Sequence, residues 1–234
     1  MYFDWTYFIF VVPAMLLALI SSWGVNATYA KYSKQFSSRG ITGAQAARFV
    51  LDKNGLQNIP IEMISGKLTD HYDPRTNVIR LSQDVYNGTS TASIGVACHE
   101  VGHAIQHATG YVPIKIRSAI VPITNIGSQL AVPLIIIGII FSSFGEFFVW
   151  LAYIGLFGFA LTAIFQLVTL PTEFNASRRA LATIRDYNIL TADELKGARK
   201  VLTAAAMTYV AALAVAVAQL LRLIFIVNRR TDRD

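Results

Sequence analysis

The chain has 234 residues, of which 54% are hydrophobic and 15% charged, against ~45–50% and ~25% in average soluble domains. On so apolar a chain, the net charge of +6 reads as basic loops facing anionic lipid. No Lys/Arg-rich run with interleaved aromatics argues for nucleic acid, which is excluded as a partner. A single cysteine, Cys98, rules out an intrachain disulfide framework.

Trp5–Trp23 is the first of four apolar stretches near or above the ~18–20 residues that span a hydrocarbon core. Aromatic residues flank it, as at bilayer interfaces. Without a basic n-region or a small-residue cleavage site, it reads as a retained anchor. Thr42–Asn54 has helical apolar spacing (Ala46, Ala47, Phe49, Val50) and stops at Gly55. Ile59–Ile64 and Val78–Leu81 read as short strands, separated by the turn-rich Asp70-His71-Tyr72-Asp73-Pro74. Thr91–Thr109 reads as a helix ending at Gly110. The second and third apolar stretches, Ala119–Phe141 and Phe147–Leu170, make a hairpin. Pro171 opens a helix to about Tyr187, and Thr191 with Glu194 has the capping-box spacing that starts another. The fourth apolar stretch, Val201–Val227, is alanine-rich and carries Gln219 and Arg222.

The expected organisation is a transmembrane helix over 1–25, a catalytic segment over 26–118 and a transmembrane hairpin over 119–170. A helical segment over 171–200 and a membrane-spanning or membrane-packed helix with its tail over 201–234 complete it. Basic residues set the orientation. Ten Lys/Arg lie between the first and second spans and six follow the third, while Ser142–Glu146 holds none. The positive-inside rule puts both basic segments in the cytoplasm. A fourth span that crosses leaves Arg229, Arg230 and Arg233 outside, against that rule.

The chemistry centres on His99-Glu100-Val101-Gly102-His103. Positions i and i+4 share a helix face, so both imidazoles can bind one Zn²⁺ while Glu100 reaches an activated water. The alternative is a buried helix with two satisfied histidines. A catalytic zinc needs a third protein ligand. Glu146 lies in the link across the membrane and Glu194 has a capping role. Glu173 follows the hairpin, which returns the chain to the membrane face of His99 and His103, and so is the expected ligand. His107 continues the i, i+4 series, but that row rises ~12 Å, too far for one ion to touch both ends. It reads as supporting or structural. Glu100 is the expected general base. His71, Tyr72 and Arg178 are candidate oxyanion donors, with Asp70–Pro74 as a plain hairpin turn the alternative. Cys98 reads as a small buried residue.

Three segments in order carry a family resemblance: Cys98–His107, Leu68–Pro74 and Leu170–Ala180, with Thr208-Tyr209-Val210 near the last span. Together they resemble the bacterial YugP-like membrane zinc metallopeptidases, which are similar in plan to HtpX-like gluzincins. That resemblance implies a Glu ligand after a membrane hairpin, in agreement with Glu173. The departure is Ser177, where the HtpX pattern carries an Asp four residues after the Glu.

The expected fold class is a mainly α membrane protein with about four transmembrane helices. A small zincin-like α+β part carries a short sheet and the HExxH helix. The expected function is a membrane-embedded, gluzincin-type zinc endopeptidase with one Zn²⁺ per chain, held by His99, His103 and Glu173. Its partners are the bilayer and a membrane or misfolded protein bound as an extended strand at an open edge of Val78–Leu81. The expected location is the bacterial plasma membrane, multi-pass, with the site facing the cytoplasm. The competing reading is a non-catalytic membrane scaffold with a structural zinc. A site-2-type intramembrane protease is disfavoured, because the chain lacks a Leu-Asp-Gly setting and the apolar run before His99 is too short to span.

Overall fold

A computed structural model of the chain describes residues 5–231. It shows a mainly α membrane protein with a small three-stranded sheet. A π-helical turn, Tyr7–Val11, leads into α1, Val12–Tyr32. There follow α2 (Gly43–Lys53), β1 (Ile61–Ile64), β2 (His71–Asp73), β3 (Val78–Ser82), α3 (Gln83–Tyr86) and α4 (Thr91–Ala108). The long helices α5 (Val112–Ile140), α6 (Glu146–Asp186) and α7 (Ala192–Thr231) complete the chain. Four helices are long and apolar enough to cross a membrane: Tyr7–Tyr32, Val112–Ile140, Glu146–Asp186 and Ala192–Arg229.

The described residues fall into two units. One runs through Ile20, over Lys115–Leu170 and on from Thr208; the other holds Ser21–Ile114 and Pro171–Met207. In the first, α5 and α6 pack through small residues. A Cβ on Gly138 would stand 2.7 Å from that of Ala152, and one on Gly155 would stand 2.6 Å from the Ala131 carbonyl oxygen. Backbones that approach this closely gain dispersion contacts where lipid gives no hydrophobic drive. Large apolar side chains such as Ile123, Ile136, Phe147, Trp150 and Phe157 stay exposed along these helices, as lipid-facing positions require.

The second unit is the one with a conventional core. Here α2 begins with a reciprocal capping box, in which Thr42 Oγ1 accepts from Gln45 N and Gln45 Oε1 accepts from Thr42 N. It ends at Asn54, followed by Gly55 at φ 74°, the left-handed geometry that glycine adopts without penalty. Ala46, Ala47, Val50 and Leu51 of α2 pack with Ile79 and Leu81 of β3 and with Ile94, Ala97, Cys98 and Val101 of α4.

Four elements differ from the sequence expectation. The stretch read as a turn contains a strand, β2, paired antiparallel to β3 with Tyr72 opposite Ile79. Three residues are too few to show alternation. The turn signal comes from the adjoining residues, where Asp73 accepts from Arg75 N and Thr76 Oγ1 and Asn77 has φ 56°. The sheet order is β1-β3-β2, so β3 is central, with β1 parallel on one side and β2 on the other. The open edge expected at Val78–Leu81 therefore does not exist. Pro171 does not open a new helix but lies inside α6. It removes one donor from the ladder without ending it, as prolines do in long apolar helices. In the same way, the capping box at Thr191 and Glu194 begins α7, which continues without a break into the fourth apolar stretch.

The contact that matters most for the site joins α4 to α6. A Cβ on Gly102 would lie 2.6 Å from the backbone oxygen of Ala176, so the middle of the His99–His103 turn accepts only a hydrogen there. Gly102→Ala should push α6 outward and cost ~1–3 kcal/mol, the scale of overpacking a close-packed interior. Thermal unfolding in detergent should show a clearly lower Tm; an unchanged Tm would mean that the two helices separate freely.

Candidate metal centre

Nearly every residue of α4 is buried, as its uncharged flanks require. Ser90 caps it, its Oγ accepting from Ser93 N. One turn of this helix presents His99 and His103 with ring centroids 4.7 Å apart and planes at 87°. From α6, Glu173 brings Oε2 to 3.3 Å from His99 Nε2 and 3.5 Å from His103 Nε2. Ligand atoms of these three residues all lie within 4.8 Å of one another. Bond lengths of ~2.0–2.2 Å to a tetrahedral zinc place neighbouring ligand atoms ~3.3–3.5 Å apart. Both His–Glu distances meet that requirement, and two imidazoles with one carboxylate are a donor set that zinc accepts.

Glu173 is 3% exposed. Burial works to raise its carboxyl, but hydrogen bonding and charge from His103 and His99 hold it far below the usual carboxylate range. Burial pulls His103 down, yet Glu173, Glu100 and Gln106 leave it raised. Each partner thus favours the charged form of the other, and a metal ion bound there would take the place of the proton on His103.

Glu100, 7% exposed, occupies the position between the two histidines. Its Oε2 accepts a 2.9 Å hydrogen bond from the backbone N–H of Tyr72 on β2. The Tyr72 hydroxyl donates in turn to Asn77 Oδ1. Asp70 fixes the start of β2, accepting from Ser82 N and Oγ. Burial raises the Asp70 carboxyl, and the Glu100 charge adds to this.

The other residues singled out in the sequence are dispersed. His71 is exposed, with Nδ1 2.8 Å from the Thr69 carbonyl oxygen, and is not part of the metal-ligating group. Arg178 is exposed on α6. His107 is half-buried, its ring 5.4 Å from that of Tyr72, and it too lies outside the His–His–Glu group. Cys98 is fully buried in the core, and burial pushes its thiol up to about 12.

Sequence reasoning missed three supporting residues, Gln106, Asn175 and Arg179, and marked Ser177 only as a departure from the HtpX-like pattern. Ser177 Oγ lies 3.1 Å from His99 Nδ1. Gln106 Oε1 lies 3.0 Å from His103 Nδ1, and Asn175 and Arg179 continue from Gln106. The signal was present as helical spacing: Gln106 is i+3 from His103, Ser177 i+4 from Glu173, and Arg179 i+4 from Asn175.

The chain matches, over residues 7–228, the model of a family described as "Putative neutral zinc metallopeptidase". The chain belongs to this family. It is also 44% identical over 228 residues to "Putative membrane protease YugP" of Bacillus subtilis (strain 168), a match covering 97% of this chain and 99% of that one. No solved structure matches it. For a zinc metallopeptidase family, the His99–His103–Glu173 group has the right donors at the right spacing.

The two third-ligand candidates can be separated by zinc titration in detergent. Glu173→Ala should weaken binding by at least ~10²-fold, since two nitrogens alone make an incomplete site. His107→Ala should stay near wild type. Loss of the metal in His107→Ala with retention in Glu173→Ala would make the third ligand a histidine.

Proposed function

We propose that the chain is a zinc-dependent endopeptidase of the bacterial plasma membrane that hydrolyses peptide bonds of membrane or misfolded proteins. The observation that carries this reading is the convergence of His99, His103 and Glu173 with Glu100 held between them. Zinc bound by the three ligands would polarise a scissile carbonyl and acidify an attacking water. Glu100 accepts the water proton and delivers it to the leaving amine. The Tyr72 N–H bond holds this carboxylate at one oxygen, so the general base is oriented before substrate arrives.

The sheet supports a substrate path along β2 instead of β3. Tyr72 faces Ile79 across the ladder, yet its N–H turns to Glu100. The outer edge of β2 therefore runs past the general base, with the Tyr72 N–H already bonded to it. An extended peptide added there gains main-chain hydrogen bonds with little sequence demand, which suits a peptidase of unfolded chains.

Glu100→Gln keeps an oxygen for Tyr72 N–H and removes only the proton acceptor. The purified variant should hold about one zinc per chain and cleave denatured casein at least ~10²-fold more slowly, the scale of general-base loss. Near-normal turnover would remove Glu100 from the mechanism. Full zinc with no cleavage by wild type either would favour the scaffold with a structural metal.

The Lys and Arg between the first two spans and after the third support a site on the cytoplasmic side. Ser143 and Lys67 are both exposed, whereas Cys98 is buried. In intact cells, a cysteine introduced by Ser143→Cys should react with an impermeant thiol reagent, and one introduced by Lys67→Cys should not. The reverse pattern would put the site outside.

A further inference from the structure

Gln106 is fully buried at the end of the His99–His103 face and makes three polar contacts. Its Nε2 lies 2.8 Å from the backbone oxygen of Thr172 and 3.0 Å from Asn175 Oδ1, and its Oε1 lies 3.0 Å from His103 Nδ1. Amide orientation is decided by partners, and two partners here decide it independently. A backbone carbonyl only accepts, so the end of Gln106 facing Thr172 is its NH₂. Asn175 Oδ1 also takes Arg179 Nε at 2.7 Å. A guanidinium only donates, so Asn175 turns oxygen toward Arg179 and Gln106 alike, and Gln106 again donates. Both NH₂ protons are then spent, and Oε1 accepts from His103.

We propose that Gln106, locked by the Thr172 carbonyl and by Asn175 with Arg179, is the positioning residue that fixes the proton of His103 on Nδ1 and leaves the Nε2 lone pair facing Glu173. The same amide grips the backbone of α6 one residue before Glu173. One buried side chain thus sets the tautomer of one ligand and the placement of another. His99 is held differently. Its Nδ1 meets the Ser177 hydroxyl at 3.1 Å, a group that gives or takes a proton, so the ring is held without its tautomer being dictated.

The tautomer assignment stands on hydrogen bonding alone; its consequence for zinc rests on the peptidase reading above. With four histidines in the chain, selective ¹⁵N-histidine labelling and single His→Gln variants allow each ring to be assigned by NMR in detergent. In metal-free protein at pH 9, His103 should carry its proton on Nδ1. A proton on Nε2, or exchange between both nitrogens, overturns the proposal even if no Gln106 variant folds. Gln106→Leu should weaken zinc binding by ~10–100-fold, the usual scale for losing the partner of a ligating His. Asn175→Leu leaves the Thr172 anchor in place and should keep the Nδ1 tautomer. Unchanged zinc affinity in a folded Gln106→Leu overturns the positioning role. Wild type that shows the Nδ1 proton yet takes up no zinc upholds the tautomer and overturns the zinc reading instead.

Discussion

The van der Waals contact between Gly102 and the Ala176 backbone governs the site more than any single hydrogen bond does. With the α4 and α6 backbones in contact there, Glu173 stands three residues before Ala176 and reaches both histidines, and Ser177, one residue after it, reaches His99 Nδ1. Gln106, one turn beyond Gly102, reaches Thr172 and Asn175. Each of these bonds spans 2.8 to 3.5 Å, and a displacement of α6 by one ångström would break most of them together. Two turns earlier on the same face of α4, a Cβ on Gly95 would lie 3.2 Å from Ala198 Cβ of α7. The zinc helix is therefore clamped at two flat places seven residues apart, each made by a missing side chain.

A buried carboxylate facing two imidazoles is a costly thing to place inside a protein unless its partners are exact. At this site the polar groups are paired. Glu100 has Tyr72 N–H, Asp70 has Ser82, and Gln106 has three partners. Such a network, fully satisfied, favours one arrangement over its neighbours because any slip strands a buried polar group. Rigid placement of His99, His103, Glu173 and Glu100 follows.

Much of this architecture was legible in the sequence. The apolar stretches found the four long helices because membrane spans are set by length and composition, which need no tertiary knowledge. The i, i+4 histidines found the helix turn of the candidate metal group for a similarly local reason. Glu173 was reached by topology, since a hairpin returns the chain to the face it left. What escaped was non-local or locally masked. β2 is three residues long and sits against a real turn at Asp73–Asn77, so its strand character exists only through pairing with β3. The central place of β3 depends on which strands flank it, which alternation does not encode. Pro171 carried a helix-start signal, but an apolar helix supported on both sides absorbs one lost donor. Gln106 looked like ordinary helix filler until Thr172 and Asn175, more than sixty residues later, came beside it.

The departure at Ser177 has a charge argument behind it. The HtpX-like pattern places an Asp at this position, where the structure brings a hydroxyl 3.1 Å from His99 Nδ1 at 9% exposure. Glu173 and Glu100 already supply two carboxylates, which balance one divalent cation. Asp70 lies near enough to feel Glu100. A further buried carboxylate beside Glu173 would add like-charge repulsion and a desolvation cost, with no cation left to offset it. A neutral hydroxyl at Ser177 and a neutral amide at Gln106 hold both ligating rings without adding charge. The trade is in ligand basicity, because a His bonded to a carboxylate donates more strongly to a metal than one bonded to a neutral partner. Here neutral groups meet both Nδ1 atoms, and Glu173 is the one carboxylate of the His99–His103–Glu173 group that could hold a metal ion.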